Sequence, residues 1–127
     1  MKVARKKSAM QVETRLGEQL SRYLDLSVAE AKVTASNMAN IDNPGYRTRG
    51  FNFAAAMGRA LAGIGNGKHQ STEVTEVDGL VSRPDGNNVS IDRESLHLAE
   101  VQLKFRTGIA LLRRENQRVM AAIRADK

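Results

Sequence analysis

The stretch ASNMANIDNPGY, residues 35–46, decides how the chain folds. Its first half continues a helical spacing of apolar and polar residues. Pro44 then stops the helix, because proline lacks a backbone donor and disfavours helical geometry at the residue before it. Asn43 to Tyr46 match a type II turn, in which proline takes the second position and Gly45 adopts positive φ at the third. The stretch therefore predicts a helix that ends sharply in a reversing turn.

A long amphipathic helix is predicted over residues 16–41, before the turn. Apolar residues recur there at steps of three and four, which is the period of one helix face. From Leu20 onward this stripe is the first half of a predicted helix-packing seam, and its alanines allow another helix to approach closely. The stripe consists of Leu16, Leu20, Leu24, Val28, Ala31, Ala35 and Met38. The opposite face carries Arg22, Asp25, Lys32 and Asn37.

A second long helix is predicted from Ser90 or Asp92, either of which can cap it, to about Ala125. At 1.5 Å per residue the two helices would be roughly 40 and 50 Å long. Such a pair around a small centre predicts a mostly α fold, elongated and coiled-coil-like. The apolar stripe of the second helix, the other half of the seam, consists of Leu98, Val101, Phe105, Ile109, Leu112, Val119 and Ile123.

The middle segment, residues 47–89, joins the two helices. Its first part, residues 47–62, suits a short helix, and a glycine-rich loop follows at 63–67. Residues 72–82 alternate apolar and polar side chains, which predicts a small β-hairpin. Residues 83–86 have the sequence of a type I turn. The predicted parts are a basic extension (1–11), an axial helix with its turn (12–46), the irregular middle segment (47–89) and a C-terminal axial helix (90–127).

Composition limits the chemistry available to the chain. Among its 127 residues there is no cysteine, which excludes disulfides, thiolate metal sites and thiol nucleophiles. His69 and His97 have no second histidine at ligand spacing, and no serine is flanked as a nucleophile elbow. We therefore expect no catalytic residue, no metal and no cofactor, and we expect that the protein is not an enzyme. Aromatic residues make up only 4%, so we expect a lone chain to be marginally stable.

The net charge of +6 is unevenly distributed. Residues 1–15 carry five basic and one acidic side chain, residues 104–127 seven and two, and residues 16–103 eight and eleven. Basic ends suit nucleic acid, an anionic membrane or an acidic protein surface. Phe105 is the lone aromatic residue of the basic helix, which is poor for base stacking or membrane insertion. A basic coiled-coil adaptor that binds nucleic acid stays as an alternative. The basic start is not followed by an apolar run, so no cleavable signal peptide is predicted.

Residues 35–46 resemble the signature of flagellar axial proteins, the family of rod, hook and hook-associated subunits. In that signature a helix ends in alanines and spaced asparagines, followed by proline, glycine and an aromatic residue. The matching positions, the predicted assembly motif, are Asn37, Asn40, Pro44, Gly45 and Tyr46. Residues 83–94, RPDGNNVSIDRE, look like the segment that precedes the C-terminal helix in proximal rod subunits. Lys32 and Ser90 stand where arginine and aspartate are more usual, and the middle segment is short.

The resemblance implies a structural subunit of the flagellar basal-body rod that polymerises through its terminal helices and transmits torque. It implies export by the flagellar type III apparatus to a periplasmic rod. The implied partners are other rod subunits, the membrane-ring protein, the rod-ring adaptor and the export apparatus, in homo- and hetero-oligomers without nucleic acid. Another short rod subunit is the near alternative. Independently of the family, asparagines spaced by three can bond the open carbonyls of a helix end and the returning chain.

Overall fold

The structure is a computed structural model, and it describes residues 14–66 and 71–125. It contains three helices, α1 (Arg15–Ala39), α2 (Phe53–Ala62) and α3 (Ile91–Ala125). Two short strands, β1 (Arg49–Gly50) and β2 (Thr75–Glu76), form an antiparallel sheet. The predicted mostly α fold, with two long terminal helices around a small middle segment that holds β structure, is confirmed.

Helices α1 and α3 lie side by side and antiparallel. The buried residues of α3 follow a repeat of seven, which is the repeat of helices that coil around each other. They are Glu94, Val101, Gly108 and Glu115. From the start of α1, successive contacts join Thr14 to Glu115, Leu24 to Gly108, Glu30 to Lys104 and Asn37 to Glu94. The register of the pair is therefore set along its whole length.

The centre of this pair holds buried polar and small side chains beside the apolar Leu20 and Val101. Ser27, Thr34 and Asn37 of α1 are buried there, opposite the line of α3. The prediction that Asn37 lies on the polar face opposite the apolar stripe is wrong. Asn37 is buried between α1 and α3, where its side chain meets the carboxylate of Glu94. Part of the apolar stripe lies at the flank, where Val28 stays 40% exposed.

Helix α2 covers one side of the pair. Its Ala56 is buried, and the ring of Phe53 meets the ring of Tyr23 edge to face with centroids 5.5 Å apart. The ammonium of Lys104 lies 4.0 Å from the centroid of the Phe53 ring and 3.0 Å from a carboxylate oxygen of Glu30. One α3 side chain thereby links α1 and α2.

The ends of the helices follow the predicted capping chemistry. Helix α1 ends two residues before its predicted end, and Gly45 then takes φ +77° in the turn. The amide of Tyr46 donates to the carbonyl of Asn43 over 3.1 Å, so the predicted turn is confirmed. Before α3, the carbonyl of Ser90 accepts from the amide of Glu94 over 2.9 Å, which makes Ser90 the cap.

The predicted hairpin within residues 72–82 is wrong. Strand β2 pairs with β1, with Arg49 opposite Glu76 and Gly50 opposite Thr75. A side chain at Gly50 would come within 3.2 Å of Val77, so glycine lets the two segments approach. The two strands lie far apart in the chain. The alternation of apolar and polar residues within 72–82 therefore could not show which segment β2 pairs with. Helix α2 also begins later than predicted, because residues 49–50 belong to the strand and Asn52 caps the helix.

The far end of the pair is held by Glu115. Its carboxylate accepts hydrogen bonds from the Arg118 guanidinium over 2.8 and 3.0 Å and from the Thr14 hydroxyl over 2.7 Å. Thr14 also caps α1 by accepting from the amide of Gly17 over 3.0 Å. The bonds from Arg118 and then from Thr14 lower the pKa of Glu115 from 4.5 to about 2.

Replacing Gly108 with valine is expected to destabilise the helix pair. A Cβ at this position would lie 2.7 Å from a methyl carbon of Leu24 and 3.1 Å from the Tyr23 ring. Overpacking of this kind costs about 1–3 kcal/mol. The matched control is Gly58→Val, because a Cβ at Gly58 meets nothing within 4 Å. Urea unfolding followed by circular dichroism measures both, and equal midpoints for the two variants would show that the helices are not in close contact at Gly108.

Acid is expected to weaken the helix pair through Glu115. A carboxyl group with a lowered pKa in the folded chain stabilises it above the unfolded pKa, and this contribution disappears as the pH falls through the folded pKa. The loss therefore spans pH 4.5 to about 2. Glu115→Gln should flatten the fall of the unfolding midpoint in this window, whereas Glu73→Gln, at an exposed site of the middle segment, should not. An unchanged slope in Glu115→Gln would remove Glu115 as the acid-sensitive group.

Candidate functional site

The two segments that carry the family resemblance touch each other in the folded chain. Residues 40–48, the turn after α1, lie against residues 83–90, the loop before α3. We call this set of contacts the clasp. The two segments that resemble axial proteins, one at a helix end and one in a distant loop, are thus parts of a single set of contacts.

Asn87 holds the turn from the side of the loop. Its side chain is fully buried, and its amide nitrogen donates to the carbonyls of Asn40 and Asn43 over 2.9 and 2.8 Å. Its amide oxygen accepts from the backbone amide of Val89 over 2.8 Å. The last carbonyls of a helix have no partner within the helix, and a buried one left unpaired is costly. Asn87 therefore completes the end of α1.

Backbone contacts fix the crossing of the two segments. The amide of Gly45 donates to the carbonyl of Asp85 over 2.9 Å. Thr48, which is buried, donates its amide to the side-chain oxygen of Asn88 over 2.6 Å. A Cβ built on Gly86 would lie 3.4 Å from the Cα of Gly45. The two glycines thus meet where the segments cross, and both have positive φ.

Two arginines cover the clasp. The guanidinium of Arg83 donates to the carbonyl of Val89 over 3.0 Å and to that of Ile41. The guanidinium of Arg47 donates to the hydroxyl of Ser82 over 2.6 Å. A cation beside the last carbonyls of a helix is favoured by the negative end of its dipole, so Arg83 stabilises the end of α1 in this way.

Asn37 connects the clasp to the helix pair and is 1% exposed. Its amide nitrogen donates to the carbonyl of Arg49 over 2.7 Å and to a carboxylate oxygen of Glu94 over 3.1 Å. Its amide oxygen accepts from the hydroxyl of Tyr46 and from the amide of Arg49, each over 3.0 Å. The other oxygen of Glu94 accepts from Arg93 over 2.6 Å. All four hydrogen bonds open to an asparagine side chain are made.

The structure brings part of the predicted assembly motif together. Asn37 and Tyr46 share the hydrogen bond above, whereas the Asn40 side chain bonds back to the carbonyl of Ser36 over 2.8 Å. Pro44 and Gly45 form the exposed tip of the turn. Sequence reasoning missed the side chains that receive the motif, although the resemblance to residues 83–94 contained the signal. These side chains are Asn87, which binds the carbonyl of Asn40, and Glu94, which binds Asn37. Thr48, outside that segment, pairs with Asn88.

The predicted seam residues are spread over the helix pair. Six of them, three from each helix, line a groove of about 440 Å³ between α1 and α3, which we call the apolar groove. They are Val28, Ala31, Ala35, Leu98, Val101 and Phe105. The others lie elsewhere: Leu20 in the buried centre, Leu24 against Gly108, Met38, Ile109, Leu112 and Val119 half-buried, and Ile123 exposed. Their joint role as a seam stays a prediction.

The described residues offer little reactive chemistry. Within ranges 14–66 and 71–125 there is no group of three or more histidine, cysteine, aspartate or glutamate side chains placed to hold a metal ion. His97 lies 3.6 Å from a carboxylate oxygen of Glu100, and His69 lies outside the described residues. No helix in these ranges is both long and apolar enough to cross a membrane. The arrangement is suited to holding two helices in a defined register.

Removing the side chain of Asn37 is expected to open the junction of the clasp and the helix pair. In Asn37→Ala the buried Glu94 oxygen, the Arg49 backbone groups and the Tyr46 hydroxyl lose a partner, and each such loss costs about 1–3 kcal/mol. Asn43→Ala is the matched control, because that side chain makes an exposed 3.3 Å bond. Urea unfolding should show a loss of at least about 3 kcal/mol for Asn37→Ala and within about 0.5 kcal/mol for the control. Similar small losses in both would contradict the role assigned to Asn37.

The chain is similar to flagellar rod proteins of several bacteria. No known family model matches the chain. A flagellar basal body rod protein FlgB of Cereibacter sphaeroides is 31% identical over 120 residues, which cover 84% of this chain and 91% of the relative. The FlgB of Salmonella typhimurium is 32% identical over 108 residues, covering 70% and 78%. The FlgB of Yersinia enterocolitica is 28% identical over 108 residues, covering 70% and 79%. With both resembling segments joined in one clasp and relatives that match over most of their length, the chain belongs to the FlgB family of flagellar basal-body rod proteins.

Proposed function

We propose that the chain is a structural subunit of the proximal flagellar basal-body rod and that it polymerises through its terminal helices. The observation that carries this proposal is the apolar groove, which the described part of the chain leaves uncovered. A contiguous exposed apolar patch is unusual on a soluble monomer and marks a surface for a partner. Membership of the FlgB family supports rod subunits as those partners.

In this proposal the clasp shapes the subunit, and the seam residues bind neighbouring subunits. The clasp fixes the angle and register at which α1 and α3 leave the middle segment, and Asn37, Asn40, Pro44, Gly45 and Tyr46 contribute by shaping the subunit. The seam residues on the flank then contact neighbouring subunits. Burial of their apolar surface stabilises the assembly by roughly 25 cal/mol per Å² removed from water. Torque transmission requires packed helices and no catalytic group.

The proposed partners extend beyond the same chain. They are other rod subunits, the membrane-ring protein, the rod-ring adaptor and the flagellar type III export apparatus, which would deliver the chain to the periplasm without a cleavable signal. The basic C-terminal half of α3 supports contacts with acidic protein surfaces, since complementary charge steers association and fixes register. The four parts predicted from the sequence would then be an extension, two axial helices and a spacer between them.

A bacterium that lacks this chain is expected not to swim, and the wild-type chain should restore swimming. Val28→Asp should fail to restore it at normal protein level, because a buried unpaired charge costs several kcal/mol at a packed interface. Val81→Asp is the control, since Val81 is 90% exposed and lies in a loop. Swimming in soft agar and microscopy of purified basal bodies measure the result. Full swimming without the chain would overturn the proposed function, and full swimming with Val28→Asp would overturn the use of the groove.

A further inference from the structure

Two aspartates of the chain are followed directly by glycine, in the pairs Asp78–Gly79 and Asp85–Gly86. Both aspartates are exposed, both pairs lie outside the helices and strands, and the two glycines have φ of +80° and +86°. Such a pair can rearrange by itself, because glycine has no side chain that keeps its backbone nitrogen away from the neighbouring carboxyl group. The sequence alone therefore marks both pairs equally.

The rearrangement needs no oxidant, reductant or cofactor. The backbone nitrogen of the glycine attacks the side-chain carboxyl carbon of the aspartate, and the hydroxyl of the protonated carboxyl group leaves as water with the amide proton. Water then opens the resulting succinimide ring. When water adds to the main-chain carbonyl carbon and the bond from this carbon to nitrogen breaks, the main chain continues through the side chain, and the residue has become isoaspartate.

The clasp holds both reacting groups of the pair Asp85–Gly86. The amide of Gly86 donates to the carbonyl of Arg83 over 2.9 Å, and a carboxylate oxygen of Asp85 accepts from the amide of Asn87 over 3.0 Å. The carbonyl of Asp85 accepts from the amide of Gly45 over 2.9 Å. These bonds fix the backbone on both sides of the reacting atoms, so the attack requires the clasp to open first.

The pair Asp78–Gly79 lies outside the clasp. Within ranges 14–66 and 71–125, neither the amide of Gly79 nor the carboxylate of Asp78 has a hydrogen-bond or ion-pair partner. A Cβ built on Gly79 would meet nothing within 4 Å. The amide of Val77 donates to the carbonyl of Thr48 over 2.9 Å, so the chain is anchored directly before the pair. Both reacting groups of this pair are therefore exposed and unengaged in the folded chain.

We propose that Asp78 is a site of spontaneous isoaspartate formation in the folded protein and that the clasp protects Asp85 from the same reaction. The bonds of the clasp and of the helix pair do not involve Asp78 or Gly79, so the chain reacts without unfolding. The modified chain keeps its fold and gains one main-chain carbon directly after the anchored Val77. The inference goes beyond the proposed rod function and does not depend on it, so either can fail alone.

The purified full-length chain tests the proposal when it is kept in warm, mildly acidic buffer and sampled over time. Electron-based fragmentation of its peptides in a mass spectrometer distinguishes isoaspartate from aspartate at each position. In the folded chain, isoaspartate is expected to accumulate at residue 78 at least tenfold faster than at residue 85. In the same buffer with denaturing urea the clasp is absent, and the two positions are expected to react at similar rates.

Gly79→Val is the matched variant, because a β-branched side chain keeps the nitrogen of residue 79 from the carboxyl carbon. It should suppress isoaspartate at residue 78 and leave the rate at residue 85 unchanged. Equal rates at both positions in the folded chain, or a faster reaction at residue 85, would overturn the proposal. A tenfold preference for residue 78 that persists in urea would also overturn it, since the difference would then not come from the clasp.

Discussion

A buried carboxylate constrains the whole molecule. Glu94 is buried between the helices near the end of α1, where a carboxyl group is tolerated only when its oxygens are paired. Asn37 and Arg93 provide that pairing, and both bonds require one rotation and one register of α1 against α3. Because Asn37 also binds Arg49 and Tyr46, the same requirement fixes the direction in which the chain leaves α1. Polar residues in the centre leave part of the apolar stripe at the flank, where Val28 and Phe105 stay partly exposed.

Local features of this fold were predictable from the sequence, and long-range ones were not. Helix periodicity, Pro44 and Gly45 predicted α1 and its turn because each acts within a few residues. Helix periodicity placed Asn37 on the polar face, and no local pattern marks Glu94 as its buried partner, because the contact joins residues far apart in the chain. The pairing of β1 with β2 was missed for the same reason. In the candidate site, resemblance identified both segments of the clasp, but the bonds of Asn87 that join them depend on the folded geometry.

The clasp and the apolar groove show two uses of one helix pair. In the clasp, hydrogen-bonded polar side chains such as Asn87 give specificity of register, a role for which buried polar groups are known in coiled coils. In the groove, small and apolar residues leave a surface that is incomplete in the single chain. A subunit built this way keeps a defined shape with a small core, and each neighbour that binds the folded form adds stability by mass action. In the proposed rod assembly, folding and assembly are then linked through the same two helices.

Hydrogen exchange on the purified full-length chain shows directly whether the clasp and the helix pair form one cooperative unit. The decisive amides are those of Gly45, Thr48, Arg49 and Val89, which lie at or beside loops but donate to clasp or junction partners. If the clasp and the helix pair open together, these amides exchange as slowly as amides in the middle of α1 and α3. Fast exchange at these four positions beside protected helices would contradict it.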